Sequence, residues 1–253
     1  MAQAKLLIIG GGGSGACIDT RLESGGGGAG GYIYDTAYLL SIQAYTITVG
    51  TGGAASGVAY SNGNTGNDSV AFGYTAKGGG YGSSSGGGGT GGSGGGAGTN
   101  GVGTYYGGAS IGTPTQGNAG GDSYPGDYRG GGGGGAGAVG NNGSSGAAGT
   151  GGAGLSNSIS GSSITYCIGG DGGENSATIT ANRGHGSHAR NVYPAVTSYP
   201  GSDGVVIISV PQGSVTATGG SKVTTGGNDV WTFTSSGTWT ITNINYVGQM
   251  NIL

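Results

Sequence analysis

Glycine fills 71 of the 253 positions, against an ordinary share of about 7%. A residue without Cβ contributes nothing to a side-chain core, and it loses more backbone freedom on folding than any other residue. Such a chain either stays unfolded over most of its length or packs backbone directly on backbone. Two features favour order. Chains poor in apolar residues stay disordered when their net charge is high, yet 7 Lys+Arg against 10 Asp+Glu leave only −3 here. The 15 tyrosines and several well-formed strand patterns also interrupt the glycine.

The strand patterns are short and clear. Ala4 to Ile9 is a nearly continuous apolar run stopped by four glycines. Tyr45-Thr46-Ile47-Thr48-Val49 alternates strictly, placing Tyr45, Ile47 and Val49 on one face. Ile164 to Ile168 alternates likewise, and Ala177 to Thr180 is a weaker case. Val205 to Val210 is continuous and β-branched, the mark of a buried strand, and Pro211 ends it. Near the C-terminus, Val230 to Thr234 and Thr238 to Thr242 flank Ser-Ser-Gly. They are expected to form a hairpin with Trp231, Phe233, Trp239 and Ile241 as its apolar set. Helix signals are nearly absent, because only Tyr34 to Ala44 avoids glycine long enough for a turn or two.

Glycine blocks cover roughly 10–15, 25–31, 78–103, 130–140 and 149–154. Collagen is excluded, since glycine does not recur at every third position and only 5 prolines are present. A flexible linker gives no reason for Tyr81, Tyr105, Tyr106, Ile111 and Tyr128 to recur within it. The remaining solution is a bundle of polyproline-II-like helices made by glycine. Such helices have about three residues per turn and no internal hydrogen bonds, so buried N–H and C=O groups must pair with neighbouring segments. The expected fold is all-β with a polyglycine helix bundle and essentially no α-helix. Residues 1–212 form the glycine-rich domain and 213–253 a C-terminal hairpin appendage.

Composition also limits function. Seven basic residues among ten acidic ones cannot neutralise an extended phosphate backbone, so nucleic acid is not an expected partner. No apolar run approaches the roughly 20 residues of a membrane-spanning helix, and Met1 to Ile9 is too short for a signal peptide. Cys17 and Cys167 match no metal spacing and are expected to be small buried side chains in strands.

The order of motifs is informative. Leu6-Leu-Ile-Ile-Gly-Gly-Gly-Gly, Tyr45-Thr-Ile-Thr-Val-Gly-Thr-Gly-Gly, the Gly/Ser/Asn/Tyr stretches and Gly201-Ser-Asp-Gly-Val-Val-Ile-Ile together resemble the glycine-rich domain of phage tail-fibre and minor structural proteins. The resemblance covers about 1–210. The tail, with Val215-Thr-Ala-Thr-Gly-Gly and Trp231-Thr-Phe-Thr-Ser-Ser-Gly-Thr-Trp-Thr-Ile, resembles another signature of the same proteins. The glycine-helix composition is also similar to that of T-even-type phage adhesins, whose tips are glycine-helix sandwiches with receptor-binding loops. These resemblances imply a virion component of tail-fibre or adhesin type, assembled in the host cytoplasm. It would be oligomeric, joined to other virion proteins, and directed at a host surface glycan or outer-membrane protein.

In that family the Thr-Phe-Thr-Ser-Ser-Gly-Thr-Trp-Thr strand usually stands just before the Leu-Leu-Ile-Ile-Gly strand, whereas here it lies at the other end of the chain. The expectation is that it completes the sheet begun by Leu6 and Ile8, within its own chain or by donation to a neighbour. Donation would give a purely structural filament or decoration protein.

Enzymatic chemistry is not expected. Gly10 to Gly15 satisfies G-x-G-x-x-G after a strand, with Asp35 about 20 residues on. The nine residues before the next glycine run are short for the helix the motif requires. His185 and His188 lack supporting ligands and are expected to be solvated loop histidines, so no metal or cofactor is assigned. There is neither a nucleophile-elbow sequence nor a carboxylate pair of the glycosidase kind. An ice-binding face would need regular Thr or Ala rows, and none is present.

Binding is better sought in the glycine-poor loops. Asp122 to Arg129 supplies Tyr124, Asp127, Tyr128 and Arg129. Arg183 to Tyr199 supplies His185, His188, Arg190, Tyr193 and Tyr199. Tyr and Arg are the usual anchors of recognition surfaces. The other reading is that these tyrosines cap the lattice edges and shield them from water.

Overall fold

The computed structural model describes residues 2–18, 24–173, 179–190 and 197–245. Among them the regular elements are all β, with no helix. In chain order they are β1 (Gln3–Ile9), β2 (Tyr32–Leu39), β3 (Ala44–Ile47), β4 (Ser69–Ala71), β5 (Tyr74–Ala76), β6 (Leu155–Asn157), β7 (Ile164–Tyr166), β8 (Val205–Pro211), β9 (Val215–Thr218), β10 (Ser221–Thr225), β11 (Asn228–Phe233) and β12 (Gly237–Ile244). A five-stranded sheet runs β10-β11-β8-β1-β2, and a three-stranded sheet runs β3-β12-β9. Two hairpins, β4-β5 and β6-β7, complete the set. Phe72 and Gly73 both have positive φ (55° and 81°), as a two-residue type I′ connection between β4 and β5 requires.

The two larger sheets enclose an apolar core. Leu6, Ile8, Val206, Ile208, Trp231 and Phe233 come from the five-stranded sheet, and Tyr45, Ile47, Trp239 and Ile241 from the three-stranded one. Trp231 and Trp239 meet edge-to-face at 5.4 Å between centroids, a favourable aromatic geometry. The other face of the five-stranded sheet is buried too, with Leu7, Ile9, Val205 and Ile207 against Ala29, Ile159, Tyr166 and Cys167. Burial on both faces explains why β1 and β8 are continuous apolar runs rather than alternating ones.

Below the sheets the glycine segments form a lattice held by main-chain hydrogen bonds. The strand pairing leads into it without a change of register. Ile9 stands opposite Tyr32, and Gly10, Gly13 and Ala16 then donate to the carbonyls of Gly31, Gly28 and Gly25 at 3.0, 2.8 and 3.2 Å. Likewise Ile9 stands opposite Val205, and Gly12 donates to Ser202 at 2.8 Å. Contact with a given neighbour thus recurs at every third residue, the period of a polyproline-II-type helix.

Segment 24–31 sits at the centre. Its amides point to three neighbours: Gly25 and Gly28 to Ser83 and Gly80, Gly26 and Ala29 to Gly131 and Gly134, Gly27 and Gly30 to Ser187 and Gly184. Its carbonyls accept from three more: Ala16 and Gly13, Gly96 and Ser93, Gly173 and Gly170. Six surrounding segments therefore satisfy it on all sides, as buried backbone demands. Only glycine permits this spacing. A Cβ on Gly133 would lie 2.0 Å from the Gly27 carbonyl oxygen, and one on Gly26 at 2.0 Å from that of Gly170.

Several expectations change. Tyr34 to Ala44 holds no helical turn, because Tyr32–Leu39 pairs along β1 as an edge strand. The C-terminal pair is not a hairpin: β11 pairs with β8 and β10, whereas β12 pairs with β3 and β9. The chain crosses between sheets at 234–236, so Trp231 and Phe233 face Trp239 and Ile241 across the core. β11 joins the sheet of β1 within its own chain, with β8 between them. Both cysteines are buried, but neither lies in a strand: Cys17 sits at isolated bridges and Cys167 follows β7 with φ 57°. Of the weaker strand at Ala177 to Thr180, residues 177–178 lie outside the described set, and Ile179 and Thr180 form no strand.

Candidate functional site

Residues 10–18 lead away from β1 and residues 24–31 lead back to β2, so the far end of the lattice lies opposite the sheets. The turns between glycine segments collect there. Cys17 bridges Ser61 and Arg190. Ser56 and Ser198 exchange bonds, the Ser56 amide to Ser198 Oγ at 2.7 Å and the Ser198 amide to the Ser56 carbonyl at 2.9 Å. Ser84 contacts the loop before it through Asn62 Oδ1, which accepts the Ser84 amide at 2.9 Å. Ser123 donates to the Tyr105 carbonyl at 2.9 Å. Asp127 Oδ2 accepts from Ser145 Oγ and the Gly146 amide, both at 3.0 Å.

The loop 124–129 is a closed turn. The Tyr124 amide donates to the Arg129 carbonyl at 2.7 Å, and the Arg129 amide returns the bond at 2.9 Å. Tyr128 has φ 56°, and its ring lies against Gly101, where a Cβ would come within 2.3 Å of it. Tyr124, Asp127, Tyr128 and Arg129 therefore share one tip with the loops around Gly101 and Gly146. Tyr124 and Asp127 are exposed; Tyr128 and Arg129 are half-buried.

The second group divides. Arg190 Nη1 donates to the Thr197 carbonyl and hydroxyl at 3.1 and 3.0 Å, and its guanidinium stacks 5.1 Å above the Tyr199 ring. Both lie beside the tip, while Tyr193 falls outside the described residues. The histidines are not solvated loop residues. His185 Nδ1 accepts the Ile168 amide at 2.9 Å, and His188 Nδ1 accepts the Asp171 amide at 3.0 Å. Each imidazole replaces a main-chain carbonyl as the acceptor for a lattice N–H, and the two sites are three residues apart on both segments. An accepting Nδ1 carries no proton, so the 3.2 Å approach of His188 Nδ1 to Asp171 Oδ2 is a proximity within this arrangement and not a charged pair. The Gly151 amide donates to Asp171 Oδ1 at 2.5 Å, and this bond favours the carboxylate against the burial that would raise its pKa.

His185 makes the lattice acid-sensitive. Burial, with Arg183 adding to it, pushes its pKa from 6.5 down to about 4. The folded protein keeps the ring neutral where the unfolded chain would protonate it. Stability from this group is complete above pH 6.5 and falls as pH drops towards 4, by about 3 kcal/mol across the window. Denaturant midpoints measured through that window check it. The His185→Gln variant should be less stable at neutral pH and should lose this part of the slope; an unchanged slope would assign the sensitivity elsewhere.

Other candidate chemistry is absorbed by the lattice. The amides of Gly10 to Gly13 are bonded to Gly31, Asn67, Ser202 and Gly28, leaving none directed at a pyrophosphate. Among the described residues no group of three metal-ligating side chains occurs, and no helix is long and apolar enough to cross a membrane. Burial raises the Cys167 thiol pKa well above its ordinary value, which suppresses the reactive thiolate. Leu6, Ile8, Trp231, Phe233, Trp239 and Ile241, expected to join the sheet of β1 within the chain or between subunits, are all buried in the core of their own chain.

Sequence reasoning missed the most exposed tip residues. Val58, Tyr60, Val102 and Tyr106 are 65%, 57%, 86% and 74% exposed, which makes them more accessible than Tyr124 at 38%. They are scattered over loops far apart in sequence. The one available signal was an apolar or aromatic residue recurring between glycine blocks.

Residues 1–211 match the family described as the glycine-rich domain, a span that runs from the N-terminus through the end of β8. The chain belongs to that family. No curated protein and no solved structure matches it.

Proposed function

We propose that this member of the glycine-rich domain family is a virion structural protein of tail-fibre or adhesin type that grips a host-cell surface receptor with its lattice tip. The observation that supports this reading best is the collection of Val58, Tyr60, Val102, Tyr106 and Tyr124 at the end opposite the sheets. Tyrosine suits both protein and sugar faces. The lattice holds these loops on a main-chain framework, so their side chains vary without altering a core. The partner is a surface glycan or an outer-membrane protein, with other virion proteins and further copies of the chain engaged elsewhere.

Binding of the fluorescently labelled protein to a panel of bacterial strains tests the reading. A subset of strains should bind. The double variant Tyr106→Ala/Tyr124→Ala should lose at least about tenfold in affinity, equivalent to 1.4 kcal/mol, with unchanged thermal stability. Binding unaffected by tip substitutions, or long filaments formed by the protein alone, would favour the self-assembling structural role instead.

A further inference from the structure

The sequence contains three Asn-Gly pairs, Asn62-Gly63, Asn100-Gly101 and Asn142-Gly143. Asn-Gly is the dipeptide in which a main-chain amide reaches a side-chain carboxamide most easily, because glycine offers no Cβ obstruction. All three asparagines are exposed, so accessibility does not distinguish them. Their main-chain bonds do.

Gly63 donates to the Gly82 carbonyl at 2.9 Å and is itself buried, and Asn62 Oδ1 is held by Ser83 Oγ, Ser84 Oγ and the Ser84 amide. Asp122 clamps the third pair from both sides: its carbonyl accepts the Gly143 amide at 2.8 Å, and its amide donates to Asn142 Oδ1 at 2.8 Å. Both pairs are thus tied to other segments of the lattice. Among the described residues, the hydrogen bonds of the 99–103 loop at Asn100 stay within the loop. Gly101 donates to Thr99 Oγ1 at 3.1 Å, Thr99 Oγ1 donates to the Gly103 carbonyl at 3.3 Å, and Val102 donates to Asn100 Oδ1 at 3.2 Å. The last bond polarises the carboxamide carbonyl, and none of the three holds the loop to a neighbouring segment.

We propose that Asn100 is a site of spontaneous deamidation in the folded protein, and that Asn62 and Asn142 are protected. The Gly101 nitrogen attacks Asn100 Cγ. A new N–Cγ bond forms, the Cγ–Nδ2 bond breaks, and the departing NH2 takes the amide proton to leave as ammonia. Water then opens the cyclic imide. Cleavage at Cγ gives aspartate, and cleavage at the main-chain carbonyl gives isoaspartate, which adds one methylene to the backbone. Either product places a new negative charge at the tip, beside the Tyr128 ring.

The full-length protein, aged at mildly alkaline pH and analysed by peptide mass mapping with enzymatic isoaspartate labelling, tests this. Asn100 should convert at least about tenfold faster than Asn62 or Asn142, because those two react only through local opening of the lattice. In denaturant the three should react at similar rates. Asn100→Gln should remove the new acidic species from ion-exchange profiles. Equal rates at the three sites in the folded protein would overturn the proposal. So would an Asn100 that stays intact when folded yet reacts when denatured.

Discussion

Gly26→Ala is expected to cost more than about 3 kcal/mol, enough to unfold a protein of ordinary stability. The new methyl would sit 2.0 Å from the Gly170 carbonyl oxygen and 2.7 Å from that of Asp171. Neither atom is the end of a flexible side chain. Both belong to segment 167–173, which bonds in turn to segments 24–31 and 130–136, so moving it displaces the lattice as a whole. Gly57→Ala is the control. No atom lies within 4 Å of a Cβ there, and the change is expected to stay within about 0.5 kcal/mol. Urea denaturation of both variants measures the difference. Similar stabilities would mean that the glycine blocks tolerate side chains and do not pack backbone on backbone.

Trp239→Ala is expected to cost about 4 kcal/mol, in the range for truncating a fully buried aromatic. Trp239 is completely buried and joins the two large sheets, with Trp231 at 5.4 Å and Tyr45 and Phe72 both at 5.9 Å. Its Nε1 is buried and has no hydrogen-bond partner among the described residues. Trp239→Phe therefore loses area but also removes an unsatisfied donor, and should cost less than half as much. The comparison also tests the place of the C-terminal strands. If β12 were a peripheral addition, Trp239→Ala would leave the melting of β1 and β8 unchanged.

The sequence reveals apolar faces well and strand partners poorly. β1, β3, β8, β11 and β12 could be read from alternation or continuity because burial on one face or both leaves a direct imprint on residue type. Partner choice leaves none. Trp231-Phe233 and Trp239-Ile241 have the same pattern whether they pair edge to edge in a hairpin or face each other across two sheets. β2 escaped notice because Tyr32–Leu39 is an edge strand with much of its length exposed, which weakens the apolar signal. The lattice itself followed from glycine content and the need to satisfy buried amides. The two imidazoles did not, since nothing local in the sequence indicates that the amides of Ile168 and Asp171 lack a carbonyl partner. The tip loops around Tyr124 and Arg129 stood out as glycine-poor, whereas Val58, Tyr60 and Val102 come to the same end of the lattice only when the segments are folded side by side.

Native-state amide hydrogen exchange addresses the backbone lattice most directly. The amides of 25–31, 93–98 and 130–136 should exchange as slowly as those of β1 and β8, only through unfolding of the whole molecule. The tip loop around Gly101 should exchange far faster. Rapid exchange throughout the glycine blocks, with protection confined to the strands, would show them to be flexible linkers and would contradict the lattice.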